Sequence, residues 1–566
     1  MTTAFANLTD GRPIMEAPNV WSYLSFFALV WWVWASQVAY NVRFRQSDWL
    51  HRAFIFFQVF VFCALATFTS DFDITNGISD QRKADQQVEH FEQADPFNSV
   101  TKPSQDVQKF RENRLPTLNL RGIAMTMAWS RLLLLVQYLV VFLHSRRTGE
   151  TGTRIPLYDR TALLVHIGSL LFSSICFFIS FGVIGSHPGK GDQIAKLVLW
   201  YFPILIEVAA HYLSISHFCR GCVQYNATAI IKRSATVFII ILGGGLDKIT
   251  IGFKVVIGNV SFSWKGLGLI VCGVITFLLL FSLFFSTREL EASEPDRISS
   301  RRAISLFFFQ FVYLAAIIVT LQGIATVLRA SNLGNALETS LDFLRQSKTI
   351  MDIKGFSQHL NESDYSFNNV QYELKKQGVA LEDLLPFVNE WMDIAAGKMD
   401  TAAGEDLSGD PDRFKYPYGA LLQMEIYAVW TVLDLFHSEN FPIQDLLIAE
   451  LDAFYNNDPN NLTWVNNATF SDIMEEVFIS NATPALWFYG AGGSVLVALG
   501  LMGIIKQWPK FGDWCERGQI ISRLLTGSTI ILLTAVDVNS SASVFHIDDL
   551  HYESSRIWEL AIHSWV

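Results

Sequence analysis

Glu207 and His211 stand four residues apart in the stretch "LIEVAAHYL". That spacing places both on one helix face, within mutual reach. A carboxylate beside an imidazole in apolar surroundings can relay a proton or hold a cation. It can also be a polar contact that fixes helix register. Arg131 lies eight residues into another apolar run, the third along the chain, which begins at Ile123. A guanidinium cannot shed its proton, so burial demands an anionic or carbonyl partner. Glu207 and Asp247 are the candidates, in a functional site or in a purely structural ion pair.

A third place is "FIIILGGGLDKIT", Phe238 to Thr250, where Gly243, Gly244 and Gly245 interrupt an apolar run and Asp247 and Lys248 follow. Only Ser234 to Leu246 separate Arg233 from Asp247. A helix of that length rises about 20 Å, against a hydrocarbon core of about 30 Å. Asp247 and Lys248 therefore lie at membrane depth or end a half-helix beside a cavity. The other reading is tight helix packing through small residues, with both at a thinned outer interface. The fourth place is "HFCRGC", where His217, Cys219 and Cys222 are three potential metal ligands without a second ligand pair. Juxtamembrane cysteines of this kind read more simply as acylation sites.

No phosphate-cradling loop, nucleophile elbow or His-Glu-x-x-His motif occurs, and no motif calls for a cofactor or a catalytic metal. The Trp-rich first apolar run (Trp31, Trp32, Trp34) reads as a packed or interfacial belt.

These residues sit in a chain that is 51% hydrophobic and only 17% charged. Soluble domains carry about 25% charge, so the lipid bilayer is the expected partner. A net charge of −11 without a basic tract argues against nucleic acid. The six cysteines lie mostly in or beside apolar runs and form no disulfide framework. The first twenty residues are polar, and no cleavable signal is read.

Ten apolar runs of spanning length are expected as helices: Trp21–Tyr40, Ala53–Thr69, Ile123–His144, Thr161–Ile184, Leu197–Ser216, Ala235–Ile257, Gly266–Phe285, Ala303–Val327, Ala485–Ile505 and Ile520–Val536. Alternate loops carry the arginines and lysines (Arg43, Arg45 and Arg52 in the first, Arg220, Lys232 and Arg233 in the fifth). This places those loops in the cytoplasm and both termini in the lumen or outside. Of the glycosylation sequons at Asn7, Asn226, Asn259, Asn361, Asn461, Asn467, Asn481 and Asn539, all but Asn226 fall on the outer side by that rule. The organisation expected is an outer N-terminal segment (1–20), a first helix pair (21–70), an outer polar loop (71–122), central membrane helices (123–328), an outer helical region (329–484), a last helix pair (485–536) and an outer tail (537–566). Within the outer region, Tyr418–Phe436 carries Glu425 and Asp434 and reads as an interfacial or packed helix rather than an eleventh span.

"FFALVWWVWASQVAYNVRF" (Phe26–Phe44) resembles the Trp-rich helix ending in Arg-Phe of the low-temperature-requirement A membrane protein family, in its longer fungal-type form. "WSRLLLLVQYLVV" (Trp129–Val141) resembles that family's Ser-Arg and Gln-Tyr helix. "KRSATVFIIILGGGL" (Lys232–Leu246) resembles its signature, in which Glu-Arg precedes an apolar run ending Leu-Gly-Glu-Gly-Ile. The resemblance covers the first half well, through Phe285. The signature's two glutamates are replaced by Lys232 and Gly244, and no Glu-Leu-Phe-Phe-Asp helix precedes Trp21. The resemblance implies an all-helical multipass bundle and supplies no settled activity. Buried Arg131, Glu207, His211 and Asp247 point to a transporter-like or channel-like role for a small solute or ion. The alternative is a non-catalytic membrane scaffold or receptor whose outer region binds partners. An enzyme is not expected, for want of a nucleophile–base pair.

Overall fold

The computed structural model describes residues 17–44, 48–68, 103–147, 157–185, 190–216, 227–259, 264–292, 300–436, 445–457, 469–507 and 514–538, apart from a few single positions within them, together with Phe72, Ile74, Cys219 and two short strands beyond. Every expected apolar run in that set is helical. In hydrocarbon each backbone N–H and C=O must bond within its own segment, and long apolar runs meet that demand as helices. The long helices are α1 (Ala17–Phe44), α2 (Trp49–Thr67), α3 (Pro103–Arg147), α4 (Leu157–Val183), α5 (Lys190–Ile215), α6 (Ala227–Asn259), α7 (Trp264–Ala292), α8 (Ser300–Lys354), α13 (Thr469–Gln507) and α14 (Trp514–Val538). Between α8 and α13 lie a 3₁₀ turn (Glu362–Asn368), α9 (Val370–Lys376), α10 (Leu381–Ala395), α11 (Lys415–Phe436) and α12 (Asp445–Tyr455). A two-stranded antiparallel hairpin, β1 (Ser543–His546) with β2 (His551–Ser554), follows α14.

Among the described residues seven helices are long and apolar enough to cross a membrane: α2, α3, α4, α5, α8, α13 and α14. α7 adds a shorter apolar stretch, Ile270–Phe285. Several hydroxyls within the spans bond back to their own helix, as Thr320 does to the Ala316 carbonyl and Thr534 to that of Ile530, which satisfies those donors without a partner from outside the helix.

Two helices extend further than the sequence suggests. α3 starts at Pro103, so much of the expected polar loop, 103 to 122, continues the span itself. α8 runs unbroken for 55 residues, about 80 Å at 1.5 Å per residue, nearly three times the hydrocarbon core. Its first half packs in the bundle. Its second half supplies Leu333, Leu337, Leu341 and Leu344 to a separate core with Leu384 and Val388 of α10, Leu421 and Val429 of α11, Leu451 of α12 and Met474 of α13. The region expected to lie outside is thus built directly on α8 and α13. α11 is one of its core helices, as expected, and is not among the candidate spans.

The Gly243–Gly245 stretch corrects the half-helix expectation. α6 passes through it without a break. A Cβ added at Gly245 would lie 2.9 Å from the Leu321 Cβ of α8, whereas at Gly243 it would meet nothing within 4 Å. Close helix packing, not a backbone rupture, accounts for the buried glycine. α13 and α14 meet backbone to backbone: a Cβ on Gly527 would sit 2.6 Å from the Gly493 carbonyl oxygen.

Candidate functional site

Apolar packing brings α1, α3, α4, α5 and α8 together around a buried polar cluster. α5 has a single inward face, on which Gln193, Lys196, Trp200, Pro203, Glu207, His211 and Ser214 are all buried. The i, i+4 spacing read from the sequence therefore does place Glu207 and His211 side by side inside the bundle.

At the centre is an ion pair. Arg131 Nη1 donates to Glu207 Oε2 at 2.7 Å, with Arg131 0% and Glu207 3% exposed. Trp32 Nε1 donates to the same oxygen at 2.7 Å. The Arg131 guanidinium also donates to Ser36 Oγ at 3.0 Å and to Ser130 Oγ at 3.2 Å, and Ser36 in turn donates to the Trp32 carbonyl. Glu207 Oε1 and Arg131 Nε have no hydrogen-bond partner among the described residues. Ion pairs taken out of water persist when supplementary hydrogen bonds satisfy the remaining polar atoms. Here that satisfaction stops one atom short on each partner.

From the pair, titratable groups continue toward the end of the bundle where α1 finishes. His211 lies 4.6 Å, ring centre to ring centre, from His166 of α4, and packs edge-on against Trp32 and Phe308. His166 stacks on Tyr138 at 5.1 Å, and its Nε2 is 3.3 Å from Arg43 Nη1. Gln37 Nε2 donates to Gln137 Oε1 beside them, at 3.0 Å. On the opposite side of Glu207, Trp200 donates to Ser180 Oγ at 2.7 Å and stacks flat on Phe72. Beyond it lies fully buried Lys196, which donates to Gln193 Oε1 at 2.6 Å.

Of the residues singled out in the sequence, Arg131, Glu207 and His211 come together. Glu207 is the acid paired with Arg131; Asp247 is exposed on α6 and takes no part. Arg233 and Gly243 are likewise exposed, Gly244 is half-buried and Gly245 serves packing. The Lys248 side chain lies outside the described residues. So do Asn461, Asn467, His217, Cys222 and the side chain of Asn481, whose backbone is in α13, whereas Asn361 is described and exposed. Cys219 is buried, and no group of three metal-ligating side chains occurs among the described residues. Trp31 and Trp32 are packed, in keeping with the belt reading, but Trp32 also bonds the carboxylate.

Sequence reasoning missed Ser36, Arg43, His166 and Lys196. His166 lies five residues past Thr161, where the fourth apolar run begins, and is as visible in the sequence as His211. Lys196 falls just before a run and passes for an interfacial residue.

No curated protein and no solved structure matches the chain. The family described as Bacterial low temperature requirement A protein (LtrA) matches residues 3–342, a stretch that holds the whole polar cluster and ends inside α8. The match reaches well beyond Phe285, where the motif resemblance stops, and it covers more than half of the chain. The chain is a multipass helical membrane protein, and it belongs to the low-temperature-requirement A family.

Proposed function

We propose that the protein moves a small solute or ion across the membrane, using the buried cluster of Arg131, Glu207 and His211. The observation that carries this reading is the ion pair in the bundle, in which one carboxylate oxygen and one guanidine N–H have no partner among the described residues. Ionisable groups in membrane spans cost about 2.5 to 3.5 kcal/mol each on insertion scales, and they mark ion and substrate routes. A pair kept only for packing would gain from complete hydrogen bonding, which this pair lacks. No enzymatic role is part of the reading. Flux into proteoliposomes carrying wild-type protein or Glu207→Gln tests it. Solute or ion uptake that depends on Glu207 supports it; equal flux in both removes Glu207 from the mechanism, and no flux with any solute removes the class.

The basic loops and sequons favour a protein of the secretory pathway with both termini outside and a glycosylated outer region. A second reading, that of a scaffold or receptor, draws on the outer region's own hydrophobic core, built around α8, α10 and α11. Crosslinking in native membranes discriminates: a stable partner bound to that region favours the scaffold.

A further inference from the structure

The site sorts its possible cargoes by what it can hold. Glu207 Oε2 already accepts from Arg131 and Trp32, which leaves Oε1 as the one open carboxylate oxygen. Hard metal cations ask for about six or more oxygen ligands. With one open carboxylate oxygen and no other acidic side chain beside it among the described residues, a bound metal ion would be short of ligands. A proton needs neither a coordination shell nor a cavity, only groups that accept and release it in turn.

Glu207, His211 and His166 form such a series. Glu207 faces Trp32 of α1 and Arg131 of α3, with Tyr138 of α3 near enough to interact electrostatically. His211 faces Trp32, Arg131, His166 of α4 and Phe308 of α8. His166 faces Arg43 of α1, Tyr138 and His211. On the other side of Glu207, Trp200 fills the inward face of α5 under Phe72, whose neighbour on α1 is Phe26. The series therefore leads away from the aromatic plug and toward the Arg43 end.

We infer that the ion handled by this site is the proton, bound at Glu207 and passed through His211 and His166 toward the Arg43 end of the bundle. For its physiological role the inference rests on the transport reading above. Glu207 Oε1 gains a proton and becomes a neutral acid. The proton passes one turn along the inward face of α5 to neutral His211, which becomes imidazolium while Glu207 returns to carboxylate. His211 passes it to His166, and His166 releases it to water. Only O–H and N–H bonds form and break, and each group ends as it began.

Infrared titration of the full chain in lipid tests the inference, between about pH 9 and about pH 4, where perturbed carboxyls and imidazoles titrate. Glu425 is also a buried acid, so every variant is made in a Glu425→Gln background, after circular dichroism has shown wild-type helix content. The expected result is a protonated-carboxyl band that appears on acidification and is missing in Glu207→Gln. Its midpoint moves by about one pH unit in His211→Gln and by a smaller amount in His166→Gln, as coupled sites require. Absence of a Glu207-dependent band overturns the inference, as does a midpoint indifferent to both histidines. Vesicles with a pH dye inside separate the two readings. If Glu207 titrates with histidine coupling but voltage drives no more proton entry than in protein-free vesicles, the transport reading fails and the proton site stands. If sodium or a solute moves while Glu207 never titrates, the transport reading stands and the proton is excluded.

Discussion

Breaking the Arg131–Glu207 pair from one side should cost far more than removing it whole. The partners meet at 2.7 Å, with side chains 1% and 3% exposed, so bulk water screens neither charge. Opposite charges about 4 Å apart at an effective dielectric near 20 attract by about 4 kcal/mol, and stripping one partner from a buried pair costs about 3–5 kcal/mol. Trp32 continues to donate to Glu207 when Arg131 is lost, which softens the penalty. Arg131→Met is therefore expected to destabilise by about 3 kcal/mol, at the low end of that range. Glu207→Gln keeps an acceptor for Trp32 yet leaves Arg131 without a counter-charge, and should cost about 2 kcal/mol. The double variant, with Met and Gln side by side, should lose only about 1 kcal/mol, giving a coupling energy of about 4 kcal/mol. Equilibrium unfolding of the full chain in mixed micelles, followed by tryptophan fluorescence, measures all three. Additive losses below about 1 kcal/mol per variant would refute the reasoning, because they would mean that water reaches the pair and screens it.

The glycines on α6 and α14 should respond according to what they touch. Gly245→Val forces Leu321 aside and should destabilise by about 1–3 kcal/mol, whereas Gly243→Ala, facing open space, should be neutral or stabilise by up to about 1 kcal/mol in the same unfolding assay. Gly527→Ala meets a backbone oxygen at 2.6 Å that cannot swing away, so it should loosen α14 from α13, seen as faster hydrogen exchange in both helices. In the helical region between α8 and α13, burial pushes the Glu425 carboxyl up to about 8, only partly offset by the hydrogen bond from Ser340 Oγ. The folded state then holds a proton that the unfolded state has lost. Stability should fall by about 1.4 kcal/mol per pH unit as pH rises from about 4.5 toward about 8, and Glu425→Gln should flatten that slope in hydrogen exchange of α11. Asn361 is exposed and should be modified or labelled from outside intact membranes; protection there would reverse the orientation drawn from the basic loops.

How much was legible beforehand depended on the range of the interaction. The helices were legible because length and apolarity are local, and hydrocarbon forces such runs into helices. The face shared by Glu207 and His211 was legible because the helix repeat is fixed. Sequence alone also marked Arg131 as needing an anionic or carbonyl partner, with Glu207 and Asp247 the candidate acids, since its charge is permanent. It could not say which acid. Asp247 and Glu207 were equal candidates until packing put α5 against α1 and α3 and left Asp247 on an exposed face of α6.

The glycine run shows the same division. Its composition permitted either a broken helix or a tight crossing, and the nearness of Leu321, 76 residues on, selected the crossing at Gly245. The full extent of α3 and α8 was hidden because polar helical segments read as loop when their partners are unknown. His166, Arg43 and Ser36 entered the site for the same reason. Ser36 and Arg43 come from α1, His166 from α4, and their partners Arg131 and His211 from α3 and α5. Only the packing of apolar surfaces against one another decides which polar side chains face each other across helices. The amino-acid sequence determined a membrane bundle with charges inside it; tertiary packing decided which charges meet and which polar atoms stay open.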